Sequence, residues 1–242
     1  MKKMTKWLAL ALAGVLMSAS LTSCMRQITR EDDDDEEDEE KSSVSSYVGL
    51  SPDQVKQMLF LADKFTIEAS GSYTNGEDEE SAVLTLKKYG DVILHRLDEQ
   101  DSDGSNLVVQ YYDLETMRSC ISYDGEAWQF YSESDTRQEM LEFLLLDDDG
   151  VNLYYILNAD SYEEGGSAEN GYVMTEEAMA AWMRGPEGTE YEGKFTSKGN
   201  VYTFEFSAHL PSDSGNGDYK YTFTIRFTSE SLEFPQETGT PE

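Results

Sequence analysis

The chain has 242 residues, 49 of them acidic and 18 basic, with a formal net charge of −31. A field of that sign repels nucleic acid, anionic headgroups and acidic polymers, which excludes a nucleic-acid partner. At this length, once 23 leading residues are set aside, the chain can hold one domain of ordinary size or two small ones, and one is the favoured reading.

Lys2, Lys3 and Lys6 form a positive leader, followed by an apolar run over 7–17. That is the layout of a secretory signal, and it is shorter than the roughly 20 apolar residues of a membrane span. Leu21-Thr22-Ser23-Cys24 resembles a bacterial lipobox. The resemblance implies cleavage between Ser23 and Cys24 and a Cys24 thiol carrying diacylglycerol, with several acyl chains giving a stable membrane anchor. Ordinary cleavage after Ser20 is the alternative, since Ser18 and Ser20 supply small residues. Residues 1–23 are therefore expected as a signal peptide. With them removed, 15 basic residues face 49 acidic ones, a formal charge of −34.

Residues 24–46 are expected to be a disordered tether, because all ten residues of 31–40 are acidic and like charges repel. Acid-rich segments close behind a lipidated cysteine also resemble the surface-export signals of some Gram-negative lipoproteins. Spacer and export signal both remain open, and the expected location is the extracytoplasmic side of the cell envelope.

Order is expected from Ser51, which caps a helix over 52–64 with Pro52 in its first turn. Residues 65–74 then alternate apolar and polar, the period of a half-buried strand. Further strands are predicted over 82–89, 91–97, 106–113, 116–123 and 127–132, separated by Gly, Asp and Asn turns. Asp135 is read as the cap of a second helix carrying Met140, Leu141, Leu144 and Leu145 on one face. Residues 151–157, apolar on both faces, read as a buried strand. Thr175 caps a third helix that Gly185-Pro186 should stop in a left-handed turn. Two aromatic strands over 202–208 and 219–227 close the pattern as a hairpin. Together these elements predict an α+β domain over 47–235, a curved antiparallel, half-barrel-like sheet of about nine strands packed on about three helices. Residues 236–242 are expected as a disordered tail.

The segments FLADKFTIEASGSY, LTLKKYGDVILHRL and ISYDGEAWQFYSES together resemble the lipoprotein-carrier superfamily, LolA/LolB-like and including LppX/LprG-type lipid-binding lipoproteins. The likeness covers residues 51–132. It implies a half-barrel lined by apolar side chains that holds acyl chains.

The chemistry on offer is sparse. His95 and His209 are the two histidines, neither accompanied by a nucleophile motif, so both read as structural and no catalytic residue is assigned. With 49 acids, a suitably spaced carboxylate pair arises by chance and carries no information. Glu99, Asp101, Asp103 and Gly104 occupy the first, third, fifth and sixth places of an EF-hand-like loop, but Gln110 stands where a bidentate Glu is required. A strand-connecting turn is the better reading, and neither a metal nor a cofactor is expected. Cys120 reads as a small buried residue with no disulfide partner. Tyr111, Tyr112, Trp128, Phe130, Tyr131, Tyr154 and Tyr155 concentrate aromatic surface in the middle of the chain, and alternation must turn half of them inward. Tyr112, Trp128 and Phe130 are the expected ligand contacts. The expected function is that of a non-enzymatic, membrane-anchored lipoprotein binding a lipid or other apolar small molecule. A cell-surface module that binds glycan or protein through exposed aromatics is the alternative.

Overall fold

A computed structural model describes residues 47–75, 79–101, 104–133, 135–147, 153–211 and 217–237. The segments expected as signal peptide and tether, Ser23 and Cys24 with them, and the last residues of the expected tail lie outside them. The architecture is α+β, with ten antiparallel strands in one open, curved sheet. In chain order the strands are β1 (Lys64–Thr74), β2 (Glu79–Tyr89), β3 (Val92–Asp101), β4 (Gly104–Asp113), β5 (Arg118–Ser122), β6 (Gln129–Ser132), β7 (Tyr172–Val173), β8 (Glu190–Lys198), β9 (Val201–His209) and β10 (Asp218–Arg226). Their spatial order is β6-β5-β4-β3-β2-β1-β10-β9-β8-β7, two meanders joined where β1 pairs with β10. Both edge strands are short, which limits the unpaired backbone the sheet presents.

Alternation selects the concave face. Phe65, Ile67, Ala69 and Tyr73 of β1 are buried on it, and in β9 Tyr202, Phe204, Phe206 and Ala208 are as well. Three helices lie over it: α1 (Pro52–Leu61), α2 (Arg137–Glu142) and α3 (Glu176–Met183). The first two begin in capping boxes, Ser51 with Gln54 and Thr136 with Glu139, which satisfy amides that the first turn cannot. Thr175 caps α3 by accepting from the Ala178 N–H.

Lys88, only 2% exposed, ties α1 to the sheet. Its Nζ donates to the Ala62 carbonyl at 2.6 Å, at the C-terminal end of α1, where carbonyls are unsatisfied and a cation is favoured. Burial, reinforced by Arg137, lowers the pKa of Lys88, while Asp63 and Asp91 oppose that shift. Arg137 of α2 pairs with Asp91, so the end of β2 and the turn after it, through Lys88 and Asp91, contact the ends of two helices.

Three sequence expectations are corrected. Residues 153–157 are a turn, not a strand: the Leu157 N–H donates to the Leu153 carbonyl at 2.8 Å, and Leu153, Ile156 and Leu157 are buried at helical spacing. The left-handed end of α3 is Arg184, at φ 50°, not Gly185, and the second helix is capped by Thr136 rather than Asp135. Strands β7 and β8 were not expected at all, which brings the described strands to ten.

Residues 228–237 form a strap across the convex face. The outward-facing row beneath them runs Thr66, Lys87, Leu94, Tyr111, Cys120 and Phe130. The Thr66 hydroxyl donates to the Thr228 carbonyl at 2.8 Å, Lys87 lies 3.9 Å from Glu230, and Arg118 pairs with Glu237 at 2.9 Å. Phe234 packs on Phe130 with ring centroids 6.2 Å apart. Cys120 is consequently fully buried although it points away from the main core, and burial pushes its thiol pKa up to about 11. Ending the chain after Phe227 is expected to make this thiol react with a disulfide reagent at least tenfold faster, while the intact chain reacts only on unfolding. Equal rates for the two chains would show that the strap does not protect it.

Candidate functional site

The two ends of the concave face are filled differently. At the α1 end, Val55, Leu59, Leu144, Leu145, Leu153 and Ile156 cover the row through Phe65 and Ile67, and all are essentially inaccessible. At the other end, toward the β1–β2 and β9–β10 hairpins, the inward rows carry the buried rings of Tyr73 and Phe206 beside the partly accessible rings of Tyr191, Tyr219 and Tyr221. One row runs Glu80, Tyr73, Tyr219, Ala208 and Tyr191 across β2, β1, β10, β9 and β8. The next runs Asn106, Glu99, Ala82, Gly71, Tyr221, Phe206 and Gly193.

Ring packing and small residues together shape this end. Tyr73 stacks on Tyr219 at 4.4 Å. Tyr221 lies over Gly71, where an added Cβ would come within 2.6 Å of its ring. From α3, Trp182 packs edge-on against Phe206 at 4.8 Å and lies 5.9 Å from Tyr221. Gly193 permits this approach of helix to sheet, since a Cβ there would meet Met179 Sδ at 3.0 Å. Trp182, Tyr191, Tyr219 and Tyr221 remain partly accessible, as do Leu97 and Val108 on the same face. Burial pushes the Tyr219 phenol up to about 12, with Tyr73 and Glu80 adding to the shift, and it raises the Tyr221 phenol as well. On the β3 side the Glu99 carboxylate accepts from the Asn106 side-chain amide at 3.1 Å. The result is an aromatic and apolar surface with carboxylates along one side. Such a surface can hold an apolar body by contact and orient a polar end.

In sequence the chain matches no protein-family model and no curated protein. In structure it is similar to a DUF1329 family protein from Desulfovibrio piger, at 10% identity and a TM-score of 0.25, over 73% of this chain and 93% of that one. A likeness this distant assigns neither a ligand nor a role.

The three expected ligand contacts do not converge. Tyr112 faces the main core and is buried there. Phe130 faces the convex side beneath Phe234, and Trp128 packs edge-on against Tyr111 at 5.5 Å, on the side opposite Tyr112. Rings that are exposed, such as Tyr89 of β2, Tyr131 of β6 and, outside the strands, Tyr123, Phe143 and Tyr154, are scattered along the chain. His95 is buried on the concave face between Leu86 and Gln110. His209 is exposed, its Nδ1 2.8 Å from Asp218 directly across the β9–β10 ladder, an arrangement of two strand neighbours rather than a cleft. Asp101 and Glu99 belong to the β3–β4 hairpin, where Asp101 accepts from the Gly104 N–H at 3.0 Å, as a turn requires. Among the described residues no group of three His, Cys, Asp or Glu side chains could hold a metal ion, and no helix is long and apolar enough to cross a membrane.

Sequence reasoning placed Tyr219 and Tyr221 on one strand face but did not single them out, and it passed over Trp182 and Tyr191. The available signal was the pairing of large and absent side chains: Gly71 and Gly193 flank the aromatic strands on either side. That signal needs the register, which a single strand does not carry.

Proposed function

We propose that the chain is a non-catalytic protein, lipid-anchored through Cys24 on the extracytoplasmic side of a membrane, which holds a lipid or other apolar small molecule against the open end of its concave face. The observation that carries the ligand reading is the unequal filling of that face. At one end, inaccessible side chains of α1, of the helical turn Phe143–Asp147 that follows α2 and of the 153–157 turn cover the sheet, with Met58, Phe60 and Tyr155 partly buried beside them, while Trp182, Tyr191, Tyr219 and Tyr221 stay partly buried at the other. A folded chain normally buries such rings, and several of them partly open in one concavity favour a ligand that completes the contact. The anchor rests on the order of positive leader, apolar run and lipobox. The acidic run at 31–40 then acts as a charged stand-off between membrane and domain.

The anchor is tested in cells: the mature chain should begin at Cys24 with the added mass of its acyl chains, and Cys24→Ala should move the protein from the membrane fraction to the soluble one. Retention of Cys24→Ala in the membrane would contradict it. The ligand site is tested by thermal unfolding with octyl glucoside below its micellar concentration. The alkyl chain should raise the midpoint of the wild-type chain, and Trp182→Ala should abolish the rise. No rise in the wild type would remove the site.

A further inference from the structure

We propose that the molecule held at this open end is a cationic amphiphile, an alkyl or aryl body with an ammonium or guanidinium head, whose body lies on Tyr219, Tyr221 and Trp182 and whose head is met by Glu80 and Glu99. The inference rests on the apolar-ligand reading and adds the chemistry of the head. Glu80 stands directly opposite Tyr73 in the β1–β2 ladder, and the Tyr73 ring stacks on Tyr219. At about 4.8 Å per strand, Glu80 is about 10 Å from the Tyr219 backbone, the reach of a short alkyl chain. Glu99 lies one row further in, its carboxylate oriented by Asn106, and the small Ala82 stands between it and Gly71, over which the Tyr221 ring lies. Among the described inward-facing strand positions of these two rows none is Lys, Arg or His. The buried Lys88 lies at the other end of β2. An anionic head would meet carboxylates here and a mature chain of formal charge −34 around them, whereas a cation is drawn in by both and also by the faces of tyrosine and tryptophan.

The test compares octyltrimethylammonium, octyl glucoside and octyl sulfate, each below its micellar concentration, by calorimetry. The protein is the full chain from residue 24 carrying Cys24→Ser, which leaves every described residue unaltered. The cationic probe should bind at least tenfold tighter than octyl glucoside, and octyl sulfate weakest of the three. Glu80→Gln with Glu99→Gln should reduce the cationic affinity to the octyl glucoside level, with Glu80→Gln alone giving part of that loss. Equal binding of the cationic and neutral probes, both abolished by Trp182→Ala, would overturn the head assignment while sparing the apolar site. Cationic binding that survives both glutamine substitutions would trace to bulk charge and also overturn it. Failure of all three probes to bind would remove the apolar site as well.

Discussion

Phe204→Ala is expected to destabilise the folded chain by about 3–5 kcal/mol, the range for emptying an aromatic side chain from a packed core. Phe204 is 1% exposed, and it stands in the cross-strand row of Ala69, Phe223, Phe204 and Phe195 on the concave face. Its ring meets Trp182 at 5.7 Å, Phe223 at 6.3 Å and Phe206 at 6.4 Å, so its loss leaves a void beneath α3 that three neighbouring rings cannot fill without leaving their own contacts. The next residue, Glu205, points to the opposite face and is exposed, and Glu205→Ala should stay within about 0.5 kcal/mol of the parent. Urea unfolding of the two variants reads the difference directly. Similar losses at both positions would show that the concave face is not the core. Because the void lies under Trp182, the same variant should also weaken any ligand held at the open end.

The second large effect is alkaline unfolding. Tyr162, Tyr219 and Tyr221 all have phenol pKa values raised by burial, Tyr162 most strongly, with its hydroxyl donating to the Ile156 carbonyl at 2.5 Å. An acid whose folded pKa is raised is neutral in both states below its ordinary value near 10, so its stabilisation is fully present there. Above that pH the unfolded chain loses the proton first, and stability falls as pH rises toward the folded value. For Tyr219, with a folded pKa of about 12, the loss between pH 10 and 12 is at most about 2–3 kcal/mol, reduced by the ring's partial exposure, and Tyr162 and Tyr221 add to it in the same direction. Lys88 works with the opposite sign: its lowered pKa makes stability rise with pH up to its ordinary value of 10.5. The expected profile therefore climbs slightly and then drops steeply above pH 10. Followed by tyrosinate absorbance, a late group of tyrosines should ionise together with the loss of near-ultraviolet circular dichroism. Tyr219→Phe, which keeps the stack on Tyr73, should make the drop shallower. Titration of every tyrosine near pH 10 with the fold intact would contradict the burial described here.

Much of the sheet was legible in the sequence because alternation reports burial strand by strand. β9 alternates cleanly and its inward set is its buried set; β1 departs from this at the outward Thr66, which the strap covers, and β10 at Tyr219 and Tyr221, which stay partly accessible. β8 escaped because its inward positions are Tyr191, Gly193, Phe195 and Ser197, and the glycine that admits α3 erases the apolar signal. Residues 153–157 misled for the converse reason: an apolar run with no polar break fits a buried strand as well as a helical turn, and only the spacing of Leu153, Ile156 and Leu157 tells them apart. The strap over 228–237 has no period at all, since its partners, from Thr66 to Arg118, are distant in sequence. The aromatic site divided in the same way. Which residues alternate was readable, but whether Phe130 shares a face with Tyr112 depends on the β5–β6 register, which pairs Phe130 with the outward Cys120.

The most direct measurement of the central claim is native mass spectrometry of the mature chain purified from its own cells without denaturation. A bound apolar small molecule is predicted at a reproducible mass, released on unfolding and absent from Trp182→Ala. A wild-type chain that is ligand-free in repeated preparations, and indistinguishable from Trp182→Ala, would contradict the account.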